Sequence, residues 1–125
     1  MMSAFSNTVY VRVSKNRFRL KNIGTGAEAD VTPTPGFSTT RLLVGQFQVA
    51  EAALKEGLGK VVGRGLFTAS PGVVIQPLEM TDGGLSEVEE RVFRELAAGA
   101  GAAKVVVWLG HELSDSEVKG KLDGK

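Results

Sequence analysis

The stretch "VVIQPLEMTDGGLSEVEERVFRELAAGAGAAKVVVWL", from Val73 to Leu109, decides the fold class. It opens with a short β-branched run that is bounded by a proline, and it closes with a continuous apolar run from Val105 to Leu109. Such runs are typical of strands that are buried on both faces. The middle of the stretch has apolar residues at helical spacing. We therefore predict a strand, a helix and a second, interior strand, parallel to the first and reached by a right-handed crossover.

The predicted helix of this stretch carries clear start and stop signals. Ser86 and Glu89 have the S-x-x-E spacing of a capping box, in which each side chain bonds the backbone amide of the other residue. Gly99 and Gly101 are typical of a helix end. The residues expected on its apolar stripe are Val88, Val92, Phe93 and Leu96.

Upstream of this unit, the segment "TVYVRVSKNRFRL", from Thr8 to Leu20, alternates apolar and polar residues around the polar turn "SKNR". Alternation with a period of two indicates strands with one buried face, so we predict a β-hairpin. A short third strand is expected to end near Val31. The two prolines of "TPTPG", from Thr32 to Gly36, then close the antiparallel part.

A further helix is predicted between the antiparallel part and the crossover unit. Ser38, Thr39 and Thr40 are suitable N-cap residues. The helix should fade at the glycines of "EGLGKVVGRG", from Glu56 to Gly65. Its apolar residues at helical spacing are Leu43, Phe47, Ala50 and Leu54.

These elements predict one α/β domain over residues 1–113 of the 125-residue chain. Its mixed sheet combines an antiparallel hairpin with parallel strands, and two main helices pack on it. Residues 114–125 are polar, lysine-rich and broken by glycine, so they are expected to form a polar C-terminal tail, frayed or with one short helix.

Composition narrows the possible functions. The chain has no cysteine, which excludes disulfides, thiolate metal sites and cysteine nucleophiles. Fifteen basic and fourteen acidic residues give a net charge of +1, too small for strong electrostatic steering by the whole molecule. No stretch approaches the roughly 20 apolar residues of a membrane span, and no cleavable signal is apparent. A cytoplasmic protein is expected.

The predicted hairpin is strongly basic, without one acidic residue between Thr8 and Asn22. Its cations are Arg12, Lys15, Arg17, Arg19 and Lys21. One interpretation is a patch for an anionic partner such as nucleic acid or a lipid surface. The other is a solvated strand face, where charge discourages aggregation. Few aromatic residues are interleaved, which argues against a nucleic-acid platform.

Three polar residues follow the two parallel strands and are candidates for a cleft. Glu79 comes after the first strand, and His111 and Glu112 come after the second. Ligands often bind at the carboxyl ends of such strands. His111 is the only histidine, and without a cysteine it predicts no metal site, which favours its interpretation as a polar loop residue. No glycine-rich segment has phosphate-loop or dinucleotide-binding spacing, and no cofactor is expected.

One set of residues between positions 70 and 108 matches a known family. The set is Ser70, Pro71, Val73 to Ile75, Ser86, Val88, Glu89, Arg91, Arg94, Glu95 and the run from Ala98 to Ala102. Through these residues the chain resembles the rod-shape-determining MreB family of bacterial actin homologues, and the first hairpin resembles that family weakly. The resemblance implies a ribonuclease H-like fold, that of one half of an actin-type protein: three antiparallel strands extended by two parallel ones.

Important parts of that family are missing from this chain. "MMSAFS", Met1 to Ser6, stands where the family has an aspartate-glycine phosphate loop, and these 125 residues contain no counterpart of the family's second nucleotide-binding domain. The resemblance implies that Glu89 matches the glutamate that helps position an attacking water. Without the phosphate loops and the metal-holding aspartates, ATP hydrolysis is not expected.

Two hypotheses about function follow. The first is a non-catalytic, stand-alone actin-like subdomain that acts through a protein partner or self-association, linked to bacterial cell shape. The second is a small ligand-binding domain or enzyme that uses Glu79, His111 and Glu112 at the carboxyl ends of the parallel strands.

Overall fold

The computed structural model describes residues 7–63 and 70–124, which form one mixed sheet with helices on both faces. Residues 1–6 lie outside this range, as do Arg64 and Gly65 of the predicted helix end. The elements are β1 Thr8–Ser14, β2 Arg17–Asn22, β3 Glu28–Val31, α1 Phe47–Val61, β4 Gly72–Pro77, α2 Glu87–Gly99, β5 Lys104–Val107 and α3 Asp115–Leu122.

The five strands lie in the order β3-β2-β1-β4-β5. β1, β2 and β3 are antiparallel neighbours, whereas β4 and β5 run parallel to β1 and to each other. The predicted hairpin, third strand and parallel pair are therefore confirmed. The central strand is β1, where Val11 faces Leu20 on one side and Ile75 on the other.

The prediction that the last strand is interior is wrong, because β5 forms an edge of the sheet. Its valines are only half-buried, because one side of the strand has no neighbouring strand, although both of its faces make contacts. Val105 and Val107 pack against the core under α1 and α2, and Val106 packs on the opposite face. At the open edge, Arg94 donates a hydrogen bond of 3.0 Å to the carbonyl of Val105.

The main core lies between the sheet and the helices α1 and α2. Alternation along the strands brings every second side chain to this face. Phe18 and Phe37 are fully buried in it, with stacked rings whose centroids are 4.6 Å apart. The valine, leucine and isoleucine side chains buried here from the sheet are Val9, Val11, Val13, Leu20, Val31, Val73 and Ile75.

Helix α1 begins at Phe47, so the predicted N-cap at Ser38 to Thr40 is wrong. These residues organise the preceding loop instead. Ser38 Oγ accepts a hydrogen bond from the Asn16 amide at 2.9 Å and donates one to the Leu43 carbonyl. Thr39 Oγ1 accepts a bond of 2.9 Å from the Leu42 amide. Their hydroxyl groups therefore serve a loop that packs on the hairpin turn.

Helix α1 ends at Val61, within the glycine-containing stretch from Glu56 to Gly65 where it was expected to fade, although it continues through Gly57 and Gly59. Gly57 lies where the helix packs closely against β2 and β3. A Cβ atom at this position would be 2.7 Å from Leu20 Cδ1 and 3.3 Å from Val31 Cγ2. The glycine is therefore a packing residue within the helix and not a stop signal.

Helix α2 has the predicted capping box. Ser86 Oγ accepts from the Glu89 amide at 3.1 Å, and Glu89 Oε1 accepts from the Ser86 amide at 2.9 Å. Of the predicted apolar stripe, Phe93 and Leu96 are buried, whereas Val88 is 73% exposed. The stripe was therefore predicted one turn too long at its amino end.

The C-terminal segment forms α3, which corresponds to the short-helix alternative. Ser114 and Glu117 make a second capping box at its start. Val118 and Leu122 are buried against Tyr10 and Val74, on the face of the sheet opposite to α1 and α2. Among the described residues, no helix has the length and apolar character needed to span a membrane.

Candidate functional site

The second face of the sheet is polar where α3 does not cover it. Strand alternation brings Arg12 to this face, and the register puts it directly opposite Arg19 of β2. A shallow concavity of about 360 Å³ lies beside these two side chains. The residues with charged side chains that line it are Arg12, Arg17, Arg19, Glu28 and Asp30, which we call the arginine face.

Acidic residues from outside the hairpin pair with its cations. Arg17 Nε donates a 2.9 Å hydrogen bond to Asp30, and the bonded guanidinium lowers the pKa of the Asp30 carboxyl. Lys21 Nζ lies 3.2 Å from Asp115 at the start of α3. Lys15 is exposed in the turn. The basic run seen in the sequence is therefore largely neutralised by β3 and by the segment around α3.

Arg12 and Arg19 share a single carboxylate. The Glu112 carboxylate oxygen lies 3.5 Å from Arg12 Nη1 and 3.8 Å from Arg19 Nη2. Both distances exceed the usual N–H···O range of about 2.7 to 3.2 Å. The Nε atoms of both arginines are buried and have no hydrogen-bond acceptor within the described residues. Glu112 is therefore a weakly bound counterion for two arginines that face each other across neighbouring strands.

A buried polar pair lies beside this cluster, and sequence reasoning missed it. Tyr10 donates a hydrogen bond to Gln76 Oε1, and its hydroxyl oxygen accepts one of 3.1 Å from the Leu113 amide. Gln76 Nε2 donates to the Gly110 carbonyl at 2.8 Å. Desolvation by burial raises the pKa of Tyr10. The one available signal was Gln76, a polar residue within an apolar strand run.

His111 is part of the anchor for α3. Its Nε2 lies 3.0 Å from Glu117 Oε2, and its ring contacts the Trp108 ring edge-on at a centroid distance of 5.6 Å. The pKa of Glu117 is lowered to about 2, first by the Ser114 backbone amide and then by His111. Trp108 Nε1 also donates to the His111 carbonyl at 2.8 Å. These contacts fasten the end of β5 to the start of α3.

The predicted cleft residues each have a different partner. Glu79 accepts a 2.7 Å hydrogen bond from the Lys15 amide, His111 contacts Glu117, and Glu112 lies by the two arginines. The Glu89 carboxylate serves the cap of α2. Within residues 7–63 and 70–124, no three acidic, histidine or cysteine side chains gather as a metal site. Of the three predicted cleft residues, only Glu112 therefore contacts the arginine face.

A second surface feature is an apolar groove beside the amino end of α2. Val88 is 73% exposed and Leu42 is 49% exposed. Arg41 and Glu87, next to them in the sequence, are also exposed and form no ion pair with another described residue. The groove encloses about 100 Å³ and is lined by Leu42, Leu43, Val44, Val88, Glu89, Val92 and Phe93.

Comparison with known protein families finds no match for this chain. Among curated proteins, the chain is 31% identical over 128 residues to the uncharacterized protein YjaA of Escherichia coli (strain K12). The match covers 95% of this chain and 99% of YjaA. The chain belongs to the YjaA family. Since the match spans nearly all of both proteins, what the YjaA family shares is the domain as a whole.

Proposed function

We propose that the chain is a non-catalytic binding domain with a ribonuclease H-like, actin-half fold, and that it acts through protein–protein contact. The strand order β3-β2-β1-β4-β5 supports this fold. Three antiparallel strands are extended by two parallel ones, and a helix follows each of β3, β4 and β5. The resemblance of residues 70–108 to bacterial actin homologues agrees with the same arrangement.

The observation that carries the proposed contact is the exposed groove at α2. Scattered apolar side chains on a surface are ordinary, but here exposed Val88 and Leu42 line one concave feature. Fully burying a valine or leucine side chain contributes about 1.5 to 3 kcal/mol. The stripe of α2 thus extends beyond the protein's own core, where a partner can cover it.

The partner we propose is a second copy of the chain. Arg41 and Glu87 at the groove have opposite charges and lack ion pairs among the described residues. In a two-fold interface the same patch meets itself, so each residue type contacts the other across the axis. Such an arrangement pairs Arg41 of one copy with Glu87 of the other and buries Val88 from both.

Sedimentation equilibrium of Val88→Glu tests this interface. We expect dimers for the unchanged protein and monomers for the variant, since a buried unpaired carboxylate opposes association. The new glutamate lies in the first turn of α2, where negative charge favours the helix, so the fold should persist. Leu109→Glu is the matched control, because Leu109 is exposed but outside the groove, and it should remain dimeric. A chain that is monomeric at every concentration contradicts the interface.

A charge swap tests the orientation of the two copies. Arg41→Glu and Glu87→Arg should each weaken the dimer by placing like charges across the axis. The double variant should recover much of the lost affinity, because the pair is restored with its signs exchanged. Additive losses in the double variant would show that these side chains do not meet.

We further infer a cytoplasmic role linked to bacterial cell shape, on the strength of the resemblance to the rod-shape-determining family. The measurement is co-sedimentation with purified filaments of such a protein. Binding supports the link, and no binding at low salt excludes it. A separate assay should find no phosphate release from ATP.

A further inference from the structure

The arginine face contains an arrangement that costs stability unless an anion completes it. Arg12 and Arg19 are cross-strand partners, and like charges directly opposite each other destabilise a sheet. Their Nε donors are buried and find no acceptor in the described part of the chain, and a buried unsatisfied donor costs about 1 to 3 kcal/mol. Two destabilising features in one place indicate that these arginines serve binding rather than stability.

Glu112 fills this site only partly. Its side chain is 57% exposed, whereas those of Arg12 and Arg19 are 18% and 33% exposed. At 3.5 and 3.8 Å it makes long ion pairs, and no hydrogen bond joins it to either guanidinium. An exposed carboxylate held by two long contacts is readily displaced by an anion that binds better. The displaced carboxylate is hydrated by water, so little free energy is lost when it leaves.

We propose that Arg12 and Arg19 bind the phosphate group of a phosphate monoester, and that Glu112 occupies the site until the ligand displaces it. Guanidinium groups present planar forks of donors that match phosphate oxygens in pairs. The Arg12 guanidinium lies 5.2 Å from the centre of the Tyr10 ring, which helps to hold it in place. The buried Nε donors become available once the guanidinium groups turn toward the ligand.

The neighbouring concavity indicates the rest of the ligand. Its volume of about 360 Å³ is within the range of small-molecule sites, which is about 300 to 1,000 Å³. Asp30 and Glu28 line it together with Arg17. These two carboxylates repel a second anionic group but accept hydrogen bonds from hydroxyl groups. The ligand class is therefore a singly phosphorylated, hydroxyl-rich molecule such as a sugar phosphate, and not a nucleoside triphosphate.

This site is independent of the proposed dimer. The groove lies beside the amino end of α2, and α2 packs on one face of the sheet. The arginine face lies on the opposite face of the sheet. The monomeric Val88→Glu variant should consequently bind phosphate as the unchanged protein does. Failure of dimerisation and failure of phosphate binding are thus separate results.

Isothermal titration calorimetry with inorganic phosphate, glucose 6-phosphate and glucose tests the proposal at constant ionic strength. We expect Glu112→Gln to bind both phosphates about tenfold more tightly than the unchanged protein, because the internal competitor is gone. Glucose 6-phosphate should bind more tightly than inorganic phosphate, and glucose alone should not bind. Equal affinity for glucose 6-phosphate and inorganic phosphate would show that the concavity does not bind the sugar.

Arg19→Lys is the decisive loss variant. It keeps the charge but removes the fork, so it should lower phosphate affinity at least tenfold without unfolding the protein. Lys15→Gln is the control for charge alone, since Lys15 is exposed in the hairpin turn, and it should bind normally. No phosphate binding by Glu112→Gln, or an equal loss in Lys15→Gln and Arg19→Lys, would overturn the proposal.

Discussion

The two faces of the sheet are built by the same strands in opposite ways. β1 contributes Val9, Val11 and Val13 to the face under α1 and α2, and all three are fully buried. To the other face it contributes Tyr10 and Arg12, which hydrogen-bond or ion-pair with residues distant in the sequence. The first face is held by close packing and the second by polar contacts.

This difference separates stability from binding. A packed apolar face gains free energy from burial but offers no donors or acceptors to a ligand. The polar face is less tightly held, since α3 covers only part of it and the rest is charged. Substitutions on the first face should therefore lower the free energy of unfolding more than substitutions on the second.

The largest effect is expected for Phe18→Ala. The side chain is fully buried and stacks on Phe37, so its removal leaves a cavity under the helices. We expect a loss of about 3 to 5 kcal/mol in the free energy of unfolding. Urea denaturation followed by circular dichroism measures it. A smaller loss of unfolding free energy than in the polar-face variants would contradict the difference proposed between the two faces.

A smaller loss is expected for Tyr10→Phe on the opposite face. The ring remains, but Gln76 Oε1 loses its donor and the Leu113 amide loses its acceptor. Leaving buried groups unsatisfied costs about 1 to 3 kcal/mol. The same denaturation experiment measures it, and an unchanged stability would show that water replaces the hydroxyl.

Tyr10 also gives an alkaline test, because it is the chain's only tyrosine. Burial raises its pKa above 10.0 in the folded state. Its contribution to stability is therefore present below pH 10 and is lost as pH rises through the folded pKa. Ultraviolet absorbance should show the phenol titrating at higher pH in buffer than in urea. Coincident curves would contradict the burial.

Ser114→Ala should cost about 1 kcal/mol by removing the cap of α3. Ser86→Ala removes the equivalent cap of α2 and is the matched control. Trp108, the only tryptophan, lies at α3, where Lys121 Nζ is 3.9 Å from its ring centre. We expect Ser114→Ala to change Trp108 fluorescence before the sheet unfolds, and Ser86→Ala to change it only on global unfolding.

The smallest effect concerns acid. The Glu117 pKa is lowered from 4.5 to about 2 by hydrogen bonds from Ser114 and His111. A depressed carboxyl pKa stabilises the fold above pH 4.5, and this contribution disappears as pH falls toward 2. Trp108 fluorescence should therefore report loosening of α3 within this window. Glu117→Gln should remove that transition, and its persistence would assign it to another group.

The strands and the α2 cap could be predicted because their signals are local. Alternation within Thr8–Ser14 and the spacing of Ser86 and Glu89 depend on residues a few positions apart. The start of α1 could not be predicted, since the Ser38 hydroxyl accepts a hydrogen bond from the Asn16 amide in the hairpin turn instead of capping the helix. The edge position of β5 could not be predicted either. Both faces of β5 are covered, one of them by α3, so its apolar run has the pattern of an interior strand. The sequence of α3 itself has the composition of a polar tail.

The candidate site was predictable only as a set of arginines. The run around Arg12 and Arg19 is visible in the sequence, but its acids are not. Asp30 comes from a neighbouring strand and Glu112 from the far end of the chain, so only the folded register shows which cation is left loosely paired. The groove was also hidden, since periodicity assigned Val88 to the core.

The hydrogen bond from Arg94 to the Val105 carbonyl has a consequence for how the protein behaves at high concentration. A parallel strand at a sheet edge is a template onto which other chains can add strands. Arg94 occupies one of the template's acceptors and brings a charge to it, with Glu90 holding the guanidinium at 2.8 Å. Arg94 therefore occupies a position that a strand added at β5 would need, which opposes strand addition at this edge.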